Sequence, residues 1–178
     1  MKGIIKELFG WILFIVIVVA ASYLVVTFMG QRTQVSGESM ETTLSDGDHL
    51  IVDKITYRFR DPKRYDIVVF PYRYEENTYY IKRIIGLPGE TVQIVDGYVY
   101  INGVQLDEHY GNALIMAPGQ AAQPIRLGED EYFVLGDNRN NSQDSRSANV
   151  GVIHRDELLG RAWIRIWPID KFGVIKHE

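Results

Sequence analysis

The 178-residue chain contains no cysteine. That absence excludes thiol nucleophiles, disulfides and cysteine-ligated zinc together, and leaves the redox compartment open. Histidine is scarce too, with only His49, His109, His154 and His177. None sits in a recognisable catalytic context, and the sequence has no Gly-x-Ser-x-Gly elbow. No two of them share metal-ligand spacing. All four read as surface residues, and neither metal nor cofactor is expected. A basic surplus is also missing: 19 Lys and Arg face 23 Asp and Glu, for a net charge of −4 and a pI near 5.6. A nucleic-acid partner is therefore not expected. Internal repeats and low-complexity tracts are absent as well. What remains, 46% hydrophobic and 24% charged residues, supports a packed core in one domain with an appendage.

The appendage is the uncharged run LFGWILFIVIVVAASYLVVTFM, Leu8 to Met29. As a helix it spans roughly 33 Å, against about 30 Å of bilayer hydrocarbon. Lys2 and Lys6 precede it, and the small residues Ala20, Ala21 and Ser22 lie inside it, which is also the pattern of a cleaved signal peptide. The run continues well past those small residues, however, and so reads as an uncleaved transmembrane helix. Lys2, Lys6 and the terminal amine lie before it, whereas Arg32 after it is accompanied by Glu38, Glu41, Asp46 and Asp48. Basic residues retained inside place the N-terminus in the cytoplasm and the rest outside. The expected division is 1–7 cytoplasmic, 8–29 transmembrane and 30–178 extracytoplasmic.

Beyond the run the chain reads as mostly β. HLIVDKI, DIVVF, TYYIKRIIG, EYFVL and RAWIRIWP are strand-like, the third ending at a Pro-Gly turn. Asp96-Gly97 and Asn102-Gly103, set between alternating residues, predict hairpins. Residues 107–128 read as a surface excursion, and HRDELLG as one or two helical turns.

Three stretches carry chemistry-bearing residues. In VSGESMETTLSDGD, Ser39 is exposed to the question of what would activate it, since a lone serine hydroxyl is a weak nucleophile. In YYIKRIIG, Lys82 shares a strand face with Tyr80 and Ile84. If that face is buried, desolvation lowers the ammonium pKa and yields an amine able to accept a proton. The alternative is a lysine snorkelling to water, with Arg83 solvated on the opposite face, and the strand pattern alone favours it. In GDNRNNSQDSR, dense polar residues make either a solvated turn or a buried network. The network would pair Asp144 with Arg146 or Arg139 and present a hydroxyl such as Ser142.

SGESMETTLSDGD, RYDIVVF, YIKRIIGLPGE and GDNRNNSQDSR, in this order behind a membrane anchor, resemble the conserved boxes of the bacterial type I signal peptidases. These are membrane-bound Ser/Lys endopeptidases, and the likeness covers nearly the whole chain. It implies a signal-peptidase-like β-sheet or barrel domain after the anchor. Ser39 matches the nucleophile and Lys82 the general base. Ser142 matches a hydroxyl that orients the lysine, and Asp144 with Arg146 a supporting ion pair. Met40 matches a residue beside the nucleophile. Val35, Leu44, Leu50, Val69, Tyr80 and Ile81 match the lining of shallow substrate pockets suited to an Ala-x-Ala motif. The resemblance further implies secretory preproteins as substrates, a lipid bilayer around the anchor, and proximity to the secretion translocon. Three positions depart from the pattern. Thr42 replaces a usual Pro, which implies a looser turn. Glu90 replaces a common Asp. Gly37 occupies a place that in some members is an oxyanion-donating Ser, so the second oxyanion donor stays open.

Two other classes compete with this reading. One is a related Ser/Lys protease with another task, such as a self-cleaving repressor-type enzyme or a peptidase dedicated to one substrate. The other is a tethered β-domain that binds peptides without cutting them. A preprotein cleavage assay separates the three.

Overall fold

The structure, a computed structural model, describes residues 2–111 and 113–177, and the side chains of these except 2–5 and 24–29. Met1 and Glu178, the expected outer limits of the tail and of the β domain, lie outside the described residues, as does Asn112 in the expected surface excursion.

The uncharged run lies in one helix, α1 (Lys2–Met29), with Leu8 to Val19 and Tyr23 exposed along its flank. Among the described residues, no other part of the protein covers the stretch Lys6–Tyr23, which is long and apolar enough to cross a membrane. The chain passes without a spacer into β1 (Gly30–Gln34). There follow β2 (His49–Asp53), a helical turn α2 (Thr56–Phe59), β3 (Ile67–Pro71), β4 (Tyr79–Gly86), β5 (Thr91–Val95), β6 (Tyr98–Ile101) and β7 (Val104–Gln105). The remainder supplies β8 (Ile125–Arg126), β9 (Glu131–Leu135), β10 (Ile153–His154), β11 (Gly160–Trp167) and β12 (Gly173–Val174).

Two antiparallel sheets result. The larger runs β1-β2-β11-β3-β4-β9-β10, with β12 on β11, and the smaller runs β7-β6-β5-β8. The hairpin dipeptides behave as read: Asp96, Gly97, Asn102 and Gly103 all have positive φ and join β5, β6 and β7. Positive φ at both turn residues matches the twist of the flanking strands, and Gly takes it without a Cβ penalty. The HRDELLG stretch forms a single turn, Arg155–Glu157. The short strands β8, β10 and β12 and the turn α2 carry too few residues for a periodic signal.

Among the described residues, three buried clusters fill the domain. One joins the small sheet to Ile85, Phe133 and Leu135. It also takes in Ile115, Ala121 and Leu127, so the segment read as a surface excursion sends three apolar side chains inward. A second lies around Val68, Phe70, Ile84 and Val134. The third holds Val35, Met40, Leu44, Leu50, Ile67, Ala162 and Ile175 beneath the turn that carries Ser39.

Reading all four histidines as surface residues is corrected at His177, which is buried. Its Nδ1 accepts the Ile67 N–H at 2.9 Å, and its carbonyl accepts from Tyr110 Oη at 3.0 Å. Burial, helped by Arg161, pushes its pKa from 6.5 down to about 4. The neutral ring is thus the folded form, while the unfolded chain takes up a proton as pH falls through 6.5. Stability contributed by His177 is present above pH 6.5 and is lost toward pH 4. Thermal melts should show this acid slope, and His177→Asn, which keeps an acceptor near the Nδ1 position, should flatten it. An unchanged slope would remove His177 as its source.

Candidate active site

Ser39 sits on the turn between β1 and β2. Val35 N–H donates to the Asp48 carbonyl at 2.8 Å and Gly47 N–H to the Val35 carbonyl at 3.0 Å, which closes the base of the turn. Within it, the Thr43 and Leu44 N–H groups both reach the Met40 carbonyl at 2.9 Å. The turn is well closed despite Thr42. Its helical spacing places Met40 and Leu44, four residues apart, on one inward side.

Lys82 lies in β4, where Val68 is its register partner on β3. The snorkelling lysine that the strand pattern alone favours is corrected: Lys82 is 4% exposed. Its Nζ is 2.7 Å from Ser39 Oγ and donates to the Ile81 carbonyl at 2.9 Å. It also stands 5.1 Å from the centre of the Tyr80 ring, as expected of residues two apart on one strand face. Desolvation lowers the Lys82 pKa from 10.5 to about 8, with Asp144 and Asp137 pulling weakly upward. A buried amine with that pKa, in contact with a hydroxyl, can take its proton.

The loop after β9 holds the turn that carries Ser39. Gly136 lies so close that a Cβ there would stand 2.5 Å from the Ser39 carbonyl and collide with Ser142 Oγ, so only glycine fits. Asn138 N–H donates to the Ser39 carbonyl at 3.1 Å, and its side chain to the Glu38 carbonyl at 3.2 Å. Asp144 receives Arg146 Nε at 2.8 Å on one oxygen and Arg146 Nη2 at 2.8 Å on the other, and it also accepts the Gly136 N–H. Arg139 pairs instead with Glu108 through two contacts of 2.5 and 2.6 Å. Ser142 Oγ is buried without a hydrogen-bond partner among the described residues.

A second network, not legible in the strand pattern, lies around Arg83. The solvated Arg83 of the alternative reading is corrected: Arg83 is fully buried. It grips Asp137 through contacts of 2.8 and 2.7 Å and lies 3.7 Å over the Tyr110 ring. Asp137 also accepts the Thr43 hydroxyl at 2.5 Å, tying the nucleophile turn to the strand that carries Lys82. The available signal was an Arg beside Lys within an otherwise apolar strand. Glu90, the expected mild replacement, binds Arg64 at 2.6 and 3.0 Å and accepts the Leu87 N–H.

A cleft of about 620 Å³ opens over Ser39 and Lys82. Val35, Gly37, Val69, Tyr80 and Ile81 line it, but Met40, Leu44 and Leu50 do not. Those three are wholly buried in the cluster beneath, where they support the cleft wall from behind. The Gly37 N–H donates to Asp46 at 2.8 Å, whereas the Ser39 N–H has no acceptor among the described residues. The latter is available to a developing oxyanion.

Residues 8–167 match the family model described as signal peptidase, peptidase S26. The probable signal peptidase I-2 of Synechocystis sp. is 43% identical over 85% of this chain and 70% of that protein. Signal peptidase I P of Bacillus subtilis subsp. natto is 35% identical over 97% of this chain and 94% of that protein. A solved structure of a signal peptidase I from Enterococcus faecalis V583, 37% identical, aligns with 57% of this chain and 97% of its own length at a TM-score of 0.48. The chain belongs to the signal peptidase family of S26 peptidases.

Proposed function

We propose that this protein is a signal peptidase I that removes N-terminal signal peptides from secretory preproteins by a Ser39/Lys82 dyad. The observation that carries the reading is the 2.7 Å contact between a surface-cleft serine and a buried lysine of lowered pKa. Neutral Lys82 takes the Ser39 proton as Oγ attacks the scissile carbonyl. The Ser39 N–H donates to the oxyanion. As the intermediate collapses the C–N bond breaks, and the Lys82 ammonium gives its proton to the departing amine of the mature protein. Neutral Lys82 can next activate the water that hydrolyses the acyl-enzyme and frees the signal peptide. Asp144, Arg146 and Gly136 hold the loop against Ser39, and Ser142 packs beside Gly136 as a further positioning group. In this reading α1 anchors the domain in the bilayer with its N-terminus in the cytoplasm. The site then acts on the extracytoplasmic face, close to where the translocon releases its substrates.

The substrate lies extended in the cleft with small side chains against Val35, Val69 and Ile81, which suits an Ala-x-Ala motif before the cut. The test is to incubate the purified chain with a labelled preprotein and map the cleavage. The cut should fall after Ala-x-Ala, and replacing either Ala by Phe should lower turnover by at least about tenfold, on the scale of a one-to-two-methylene mismatch or more. Equal turnover of the Phe substrates would overturn the pocket assignment, and no cleavage of the parent would overturn the function.

The lysine pKa gives a second expectation. The base form of Lys82 predominates above about pH 8 and is depleted below it. The log of kcat/KM should therefore fall with unit slope as pH drops below about 8. A limb centred near 6.5, the ordinary histidine value, would point to another base.

A further inference from the structure

The net-negative chain concentrates positive charge in one short segment. Residues 54–64, KITYRFRDPKR, hold Lys54, Arg58, Arg60, Lys63 and Arg64 against a single acid, Asp61. Asp61 is itself neutralised by Arg155 at 2.8 Å. Arg60 is spent on Asp66 and Arg64 on Glu90. Lys54, Arg58 and Lys63 have no carboxylate partner among the described residues. Between them Phe59 is 85% exposed, while its neighbour Tyr57 turns inward to Asp66. An aromatic ring left in water among uncompensated cations is not what stabilises a fold. It is the composition of a surface that meets anionic headgroups and the acyl boundary beneath them.

The register says where this surface lies. Gly30, the first residue after α1, is paired with Asp53, the last residue of β2. Asp53 accepts the N–H groups of Ile55 and Thr56, so the chain turns at once into the basic segment. Lys54 is thus one residue and one strand spacing, roughly 5 to 10 Å, from the point where the anchor ends. We infer that residues 54–63 dock on the surface of an anionic bilayer, with Phe59 inserted at the headgroup level and Lys54, Arg58 and Lys63 on lipid phosphates. This rests on the reading of α1 as a membrane anchor and adds a second contact that sets the tilt of the domain.

The absence of native cysteine makes each introduced thiol unique. Full-length Phe59→Cys, Val104→Cys and Val16→Cys are labelled with an environment-sensitive fluorophore and reconstituted in vesicles carrying spin-labelled lipid. Val104 is 70% exposed on the small sheet and serves as the solvent reference, while Val16 lies in α1. The label at position 59 should be quenched severalfold more than that at 104 in vesicles containing phosphatidylglycerol. The difference should vanish in phosphatidylcholine alone, and on adding Arg58→Glu and Lys63→Glu to a chain that still melts as wild type. Equal quenching at 59 and 104 with phosphatidylglycerol present would overturn the docking surface, while deep quenching at 16 would show the anchor intact. An unquenched label at 16 would overturn the anchor, and the label at 59 would still decide docking.

Discussion

Ser39→Ala and Lys82→Arg are both expected to lose cleavage by at least about 10³-fold, in the range seen when a nucleophile or its base is removed. Alanine has no oxygen to acylate. Arginine keeps length and charge, but its guanidinium stays protonated at any working pH and cannot accept the hydroxyl proton. Lys82→Met should be as inactive as Lys82→Arg and should separate loss of chemistry from loss of fold. Below pH 8 the wild-type protein buries an ammonium whose pKa is lowered from 10.5 to about 8. A lowering of that size opposes folding by roughly 3 kcal/mol. Removing the charge while keeping apolar bulk should leave the melting temperature unchanged or raise it at pH 7. An inactive and markedly less stable Lys82→Met protein would point to a structural lysine, and an active Lys82→Arg protein would end the dyad assignment.

Asp137→Ala should produce the largest loss of stability. It leaves Arg83, fully buried, without its counter-charge and the Thr43 hydroxyl without its acceptor. Breaking one side of a buried ion pair typically costs about 3–5 kcal/mol, a large part of a domain's total. Thermal melts in detergent should show a drop of many degrees. Asp137→Asn, which retains an acceptor for Thr43, should lose less. The combination Arg83→Met with Asp137→Leu removes both charges and should recover much of the stability lost in Asp137→Ala. Its cleavage rate should stay depressed, because Thr43 is still untied and the Ser39 turn is less well held against Lys82. A double variant with full activity would show that the network serves the fold alone.

Features encoded within a few residues are legible in the sequence, and features that depend on distant cover are not. Asp96-Gly97 and Asn102-Gly103 encode their turns within two residues, and the uncharged run encodes its helix by composition. Tyr80 and Lys82 share a face by strand alternation, but whether that face is wet depends on the Ser39 turn, which packs onto it from 43 residues away. Arg83 illustrates the same limit from the other face. Its cover is Tyr110, Asp137 and the carbonyl of His177, none of them near it in sequence. The resemblance places Leu44 in the pocket, yet a helical turn directs it, together with Met40, into the core. Asp144 and Arg146, two residues apart, could be paired locally, although the choice over Arg139 rested on the position of Glu108 in a segment that carries no strand pattern.

The direct passage from Met29 to Gly30 has a kinetic consequence. There is no slack between α1 and the sheet, and the five residues of β1 carry the chain only about 13 Å before the Ser39 turn begins. With α1 in the bilayer, as proposed above, a protein on so short a leash would meet membrane-borne preproteins by a search in two dimensions. Its turnover in the membrane then depends on how many enzymes and substrates share a given area, and dilution of the surrounding solution leaves it unaffected.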